Sequence, residues 1–436
     1  MADTIKVGMV SLGCPKNQCD AELMLAKIAK AGFKIVNEAG LADVVIINTC
    51  GFIQSAKEEA IEEIMEAISR KNDGINKKII VTGCLAERYQ KQMDEEFPEI
   101  DAVVGIAKND DIVEIINSVM LDKRVVTFGD KLQSTLPHYA YLRIADGCSN
   151  KCSYCAIPLI RGKMRSRKME NIIEEAKKFA ENGVKELVIV AQDVTAYGID
   201  LYKKYALPDL LKELCKIDGI KWIRLLYCYP ERITDELIET IKTEDKILNY
   251  IDIPIQHCNK EILRNMYRGG DEQSLRELFS KLRREIPGVV LRTTLITGFP
   301  GETEEQFSEL AEFVNDIKFE RLGCFAYSAE EDTPAAEMPD QVDEGERQRR
   351  ADIITGEQEI RMGEYYAGMV GNTYEVVCEG FDRYSDMYFG RSMHFAPEID
   401  GMIYFKSTKE KRPVIGDFIN VKITDVLENN LLGEQV

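Results

Sequence analysis

The sequence predicts an α/β protein: an N-terminal parallel-sheet α/β domain, a central partial barrel of six β/α units, and a small all-β barrel at the C-terminus. Three observations carry that reading. Apolar strand-like runs alternate with stretches of helical periodicity as far as Tyr327, the pattern of a parallel sheet covered by helices. A polar stretch at 130–137 interrupts the alternation once and looks like a linker. Beyond Gly371 the period changes to short strands separated by Gly, Asp and Pro. Boundaries are therefore expected at 1–135, 136–368 and 369–436, and 436 residues suffice for several cores.

In the first part, 5–12 reads as a strand, 21–31 as a helix, 44–48 as a buried strand and 57–69 as a helix. A third strand is expected at 78–82, a helix after Ala86, and a short fourth strand at Val103 and Val104. The second part repeats the pattern six times, with strands at 141–145, 186–190, 222–228, 250–255, 289–296 and 322–327. Helical patterns at 172–180, 237–241, 275–284 and 306–317 fill the gaps. Six units are too few to close an eight-fold barrel, so an open one is expected. The charged stretch 343–366 reads as a connecting helix. Strands at 374–378, 387–390, 402–405 and 418–424 form the last part.

Composition narrows the function classes. A hydrophobic content of 45% is that of a globular protein rather than a disordered chain. The net charge of −19 argues against non-specific coating of nucleic acid and suits a basic protein partner. Residues 1–10 lack the basic and apolar regions of a leader, and no apolar run is long enough to cross a bilayer. A cytoplasmic location is expected, where twelve cysteines are thiols and metal ligands rather than disulfides. Neither a GxxxxGK[ST] loop nor a GxGxxG turn is present, so ATP and dinucleotide sites are not supported.

The cysteines carry the chemistry. Cys148, Cys152 and Cys155 form a CxxxCxxC run just after the first barrel strand. Three thiolates in one loop suit an iron–sulfur cluster whose fourth iron stays open for a ligand with an amino and a carboxylate group. A structural zinc site would want four closed ligands, and none of His138, His257 and His394 has the spacing to supply one. A redox pair at Cys152 and Cys155 would leave Cys148 unexplained. Cys14, Cys50 and Cys84 each follow the carboxyl end of an expected strand, with glycine alongside. Loops at that edge of an open parallel sheet converge, so these thiols can meet although far apart in sequence. Three unconnected buried cysteines fit the same pattern. Cys19, Cys215, Cys228, Cys258, Cys324 and Cys378 sit in or beside helix and strand patterns and read as core.

Cofactor contacts are expected from the barrel mouth. Gln192 and Asp193 end the second barrel strand, and Gly298 opens the turn between a strand and a helix. A plain strand-to-helix turn accounts for Gly298 equally well.

With these residues assembled, the chain resembles the methylthiotransferase family of radical S-adenosylmethionine enzymes along nearly its whole length. The segments that carry the likeness are SLGCPKN at 11–17, INTCGFI at 47–53, VTGCLAE at 81–87, DGCSNKCSYCAIP at 146–158, RGKMRSR at 161–167 and ITGFPGETEEQF at 296–307. The resemblance implies a radical core, a C-terminal TRAM barrel and two 4Fe-4S clusters. One cluster would sit on Cys148, Cys152 and Cys155 and an auxiliary one on Cys14, Cys50 and Cys84, with S-adenosyl-L-methionine as co-substrate. One branch of the family modifies tRNA adenosine; the other adds a methylthio group to the β-carbon of an aspartate in ribosomal protein uS12. Pro15-Lys16-Asn17 after Cys14, and Ala396-Pro397-Glu398-Ile399-Asp400-Gly401, resemble the ribosomal branch. Eleven acids against seven bases from Gly371 onward make a poor grip for tRNA. The resemblance also implies an electron donor such as flavodoxin or ferredoxin. Gln18-Cys19 and Ser392-Met393-His394-Phe395 depart from the family's usual residues.

Overall fold

The computed structural model describes residues 5–120, 135–407 and 412–436. Five strands open the chain: β1 (Lys6–Ser11), β2 (Lys34–Val36), β3 (Val44–Thr49), β4 (Lys78–Gly83) and β5 (Ala102–Val103). They form a parallel sheet in the order β2-β1-β3-β4-β5. Helices α1 (Pro15–Lys30), α2 (Gln54–Asn72), α3 (Cys84–Glu96) and α4 (Ile112–Met120) connect and cover it. Every residue of β3 is buried, as a central parallel strand between two helical layers requires. The strand missed in sequence, β2, is a three-residue edge strand with no fully buried position, so no apolar run marks it.

The two helix starts beside Cys14 and Cys84 fall earlier than expected. Pro15 sits in the first turn of α1, where its missing N–H costs nothing, so the helix begins beside Cys14 rather than at residue 21. Likewise α3 begins at Cys84 itself, after Gly83 at φ 96°, rather than after Ala86. The expected linker at 130–137 lies largely outside the described residues.

The central part is an open six-stranded parallel sheet. Its strands are β6 (Tyr139–Arg143), β9 (Glu186–Val190), β10 (Trp222–Leu225), β11 (Ile247–Asp252), β12 (Val290–Thr297) and β13 (Arg321–Ala326), in the order β13-β12-β11-β10-β9-β6. A short antiparallel pair, β7 (Ala145–Asp146) and β8 (Arg165–Ser166), brackets the CxxxCxxC loop. Helices α5 (Ile157–Arg161), α6 (Met169–Glu181), α7 (Leu207–Cys215), α8 (Asp235–Thr243), α9 (Lys260–Asn265), α10 (Glu272–Glu285) and α11 (Glu304–Ile317) lie between the strands, and α12 (Glu344–Met369) leads onward. Alternate strand residues separate two cores. Leu142, Leu187, Ile189, Ile223 and Leu291 pack against the helices. Tyr141, Val188, Val190, Trp222, Tyr250 and Val290 face the inside of the open barrel.

The last part is a closed barrel of β14 (Thr373–Asp382), β15 (Met387–Ser392), β16 (Ile403–Lys406), β17 (Phe418–Leu427) and β18 (Asn430–Gln435), in the order β14-β15-β16-β18-β17. Four strands were expected; in β18 only Leu431 and Leu432 are apolar, too short a run to mark a strand. This small barrel packs on the inner face of the open one, where Val377 and Ala396 join the inner core. Glu186 lies buried between Arg224 at 2.7 Å and Arg391 at 2.8 Å, and Glu379 holds Arg391 and His138. The hydroxyls of Tyr139 and Tyr141 donate to Glu398, and that of Tyr250 to Asp400.

Candidate active site

A cavity of about 400 Å³ opens where the carboxyl ends of both parallel sheets face each other. Cys14, Cys50 and Cys84 line it from one side and Cys148, Cys152 and Cys155 from the other. The topology explains the first triad: each thiol follows β1, β3 or β4, neighbours at the centre of their sheet. Glycine lets the loops touch. A Cβ on Gly13, which sits at φ 88°, would lie 2.6 Å from the Cys50 Cβ. One on Gly51 would lie 2.8 Å from the Leu85 backbone beside Cys84. Among the described residues no group of three Cys, His, Asp or Glu side chains closes on a single ion. A cubane is wider than one ion, and its thiolates stand correspondingly further apart.

The thiols are tuned differently. Burial pushes Cys14 up, but Lys16, the amides of Asn17 and Lys16, and Arg161 outweigh it, and the thiol falls below its ordinary value. Cys14 stands at the N-cap of α1, where the helix N–H groups favour a thiolate. Burial dominates at Cys84 and Cys155, pushing both up to about 12. Burial also raises Cys50 and Cys148, and amides two residues onward, those of Phe52, Asn150 and Ile157, only partly oppose the rise at Cys50, Cys148 and Cys155. Loading iron onto such sites displaces protons that burial otherwise retains.

Cations and tyrosines complete the wall. Arg161 donates to Asn17 at 2.7 Å, Asp20 at 2.9 Å and Asp146 at 3.2 Å, and its guanidinium lies 3.7 Å from the Cys84 Sγ. Asn17 in turn donates to the carbonyls of Leu12 and Thr49, tying the Cys14 and Cys50 loops. On the barrel side Tyr229 lies 3.8 Å from the Cys152 Sγ, with Arg268 over its ring at 4.1 Å. The N-terminal part is clasped to the barrel across Glu330, which takes Lys57 at 2.8 Å and Arg88 at 2.9 Å. Phe52 and Phe325, both partly exposed, form an apolar rim.

Gln192 lines the cavity, and neither its amide nitrogen nor its oxygen has a partner although both are buried. An unsatisfied buried amide costs about 1–3 kcal/mol, which a polar ligand in the cavity would recover. Asp193 stands one step back: it accepts from Asn150 at 3.0 Å and from Thr195 at 2.5 Å and pairs with Arg232, while Asn150 lines the cavity. Gly298 is not among the lining residues; its amide donates to the Glu302 carboxylate at 3.0 Å. Its φ of 69° and a virtual Cβ 2.3 Å from the Arg347 side chain show a close-packed turn. Of the cysteines read as core, Cys228 also touches the cavity, while Cys19 is buried beside the Tyr141 carbonyl. Arg161, Tyr227, Tyr229 and Arg268 line the site and were not singled out in sequence, while Lys16 was marked there only as part of Pro15-Lys16-Asn17. Lys16 and Arg161 lie inside the quoted SLGCPKN and RGKMRSR segments, which was the available signal.

These residues fit two clusters and an amino-acid-bearing nucleoside: six thiols in two sets of three, buried cations facing them, and an unpaired amide between. Comparison with known proteins agrees. The Radical SAM superfamily matches residues 142–314, the TRAM domain 370–436, and a family described as Uncharacterized protein family UPF0004 matches 6–105. The chain is 49% identical over 438 residues to the ribosomal protein uS12 methylthiotransferase RimO of Caldanaerobacter subterraneus subsp. tengcongensis, covering 98% of this chain and 99% of that one. Against the protein of the same name from Clostridioides difficile identity is 46% over 441 residues, covering 99% and 98%. Among solved structures, the radical S-adenosylmethionine methyltransferase TsrM from Kitasatospora setae, with cobalamin and a 4Fe-4S cluster bound, shares the fold. Its TM-score is 0.55 at 12% identity, over 76% of this chain and 77% of that one.

Proposed function

The chain belongs to the RimO family of ribosomal protein methylthiotransferases, radical S-adenosylmethionine enzymes, and from that premise we propose that it methylthiolates the β-carbon of an aspartate in uS12. Its cofactors are two 4Fe-4S clusters and S-adenosyl-L-methionine. The observation that carries the assignment of sites is that two cysteine triads line one cavity from opposite sides. When bound, these groups supply the electron, the radical that removes an unactivated hydrogen atom, and the methylthio group.

The protein's own part is to hold, orient and shield. Cys148, Cys152 and Cys155 hold the cluster that faces adenosylmethionine, with Gln192 offering its unpaired amide to that co-substrate. Asp193 orients Asn150 at the same place through their 3.0 Å hydrogen bond. Gly298 contributes by allowing close approach of its turn rather than by a free amide. Cys14, Cys50 and Cys84 hold the auxiliary cluster, with Arg161 offsetting its thiolate charge. The Glu330 clasp keeps the N-terminal part over the barrel mouth, which excludes water from reactive species. The three units divide at 1–135, 136–368 and 369–436. A flavodoxin or ferredoxin supplies electrons, and the protein works in the cytoplasm. In keeping with this, no helix among the described residues is long and apolar enough to cross a membrane.

The test is anaerobic. Protein reconstituted with iron and sulfide receives adenosylmethionine, reductant, uS12 and tRNA together, and mass spectrometry reads which gains a methylthio group. The expected product is the modified aspartate peptide; modified adenosine would overturn the proposal. Replacing Cys148, Cys152 or Cys155 with Ala should abolish adenosylmethionine cleavage. Replacing Cys14, Cys50 or Cys84 should spare cleavage and stop thiolation.

A further inference from the structure

Most charged groups around the cavity are paired with a group of opposite charge; among the described residues Arg268 and Lys16 have no carboxylate partner. Arg161 has Asp20 and Asp146, Arg232 has Asp193, and Glu330 has Lys57 and Arg88. Arg268 donates to the Pro254 carbonyl at 2.8 Å and to the Tyr154 hydroxyl at 3.2 Å. Lys16 is only 7% exposed, and its ammonium lies 3.6 Å from the centre of the Tyr227 ring. The groups acting on it are Tyr227, Cys14 and Arg161, none of them a carboxylate. Its one anionic neighbour is the Cys14 thiolate, a group committed to the first triad, and a cation–π contact offsets only part of the cost of burying the charge.

The seat beneath Lys16 is built. Tyr227 holds a left-handed backbone conformation at φ 64°, unusual for a bulky residue. Its amide donates to Asp252 at 2.9 Å, and Asp252 is itself fixed by Arg292 at 2.8 Å. The place is equally specific. Lys16 lines the same cavity as both triads, two residues from Cys14. A side chain worked on from both triads enters the cavity that this ammonium lines.

We propose that Lys16 receives the carboxylate of the substrate side chain and so selects an acidic residue for modification. The inference rests on the ribosomal reading above. The same ammonium could meet the carboxylate of adenosylmethionine or act only as counter-ion to the Cys14 cluster, and the experiment separates these.

Reconstituted holoprotein, with adenosylmethionine present, is titrated anaerobically with uS12 and with uS12 carrying Asn in place of the target Asp. The wild-type protein should prefer the Asp form roughly tenfold or more, the worth of one charge-assisted hydrogen bond. Lys16→Met should bring the two affinities within about twofold, and Lys16→Arg should restore the preference. Iron content and adenosylmethionine affinity of Lys16→Met should match the wild type. A retained Asp preference in Lys16→Met would overturn the proposal. Loss of four irons in that variant would make Lys16 a counter-ion, and weakened adenosylmethionine binding with intact preference would assign it to the co-substrate; each overturns it. Wild-type protein that binds neither form would instead overturn the ribosomal reading, and the proposal with it.

Discussion

Arg161 carries its charge where only 1% of its side chain meets solvent, and it does so because four groups from three elements converge on it. Desolvation works against the charge, but Asp20, Cys84 and Asp146 more than compensate, so the guanidinium stays firmly protonated. Removing it leaves Asp20 and Asp146 to share Arg143, with only the exposed Arg165 besides. Arg161→Met is therefore expected to destabilise the protein by roughly 3–5 kcal/mol, read from denaturant unfolding of the metal-free chain. The residue was visible in sequence only as part of a basic stretch. Nothing in RGKMRSR distinguishes the one arginine that turns inward, because its partners lie 15, 77, 141 and 144 residues away.

At the scale of elements, the first triad depends on strand ends and on glycine. Three parallel strands bring three loops to one edge, but the loops pack within contact distance only if no Cβ intrudes. Gly13→Ala places a methyl group 2.6 Å from the Cys50 Cβ and 2.8 Å from its Sγ, at a φ of 88° that alanine resists. The expected result is selective: reconstituted protein should lose iron from the Cys14 triad while the Cys148 triad fills. Stability should fall by about 1–3 kcal/mol. Iron and sulfide analysis beside a melting curve checks both. That glycine flanks each cysteine was legible in sequence. That the helices begin at Pro15 and Cys84 was not, because the apolar periodicity starts several residues later than the hydrogen-bonded turns.

At the scale of the whole molecule, the open barrel would expose its inner face were it not covered by the C-terminal barrel. Glu186 is the centre of that junction, and Arg391 and Arg224 hold its carboxyl at about 2 despite burial. A carboxylate depressed in this way stabilises the fold above the ordinary value near 4.5, and the contribution is lost as pH falls from there to about 2. Glu186→Gln should lower stability at neutral pH by roughly 3–5 kcal/mol and flatten the acid limb of the stability curve over that window. Chemical denaturation across pH measures both. The junction also revises the electrostatic picture drawn from composition. Glu379, Glu398 and Asp400 are engaged with Arg391, His138 and three barrel tyrosines, so part of the acidic excess after Gly371 holds domains together rather than facing a partner.

What the sequence determined by itself is what local pattern can encode. It specified the alternation that makes parallel sheets, the change of period that makes the last barrel, and the CxxxCxxC spacing that places three thiols in one loop. It also marked the glycine-flanked cysteines at strand ends. Only the tertiary structure decided that both triads share one cavity, that Lys16 lines it over the Tyr227 ring, and that Gly298 gives its amide to Glu302. It alone assigned Glu398 and Asp400 to the barrel's inner tyrosines. The reason is physical: periodicity and spacing report which face of an element is buried, whereas the partner of a buried charge is chosen by which distant elements fold against it.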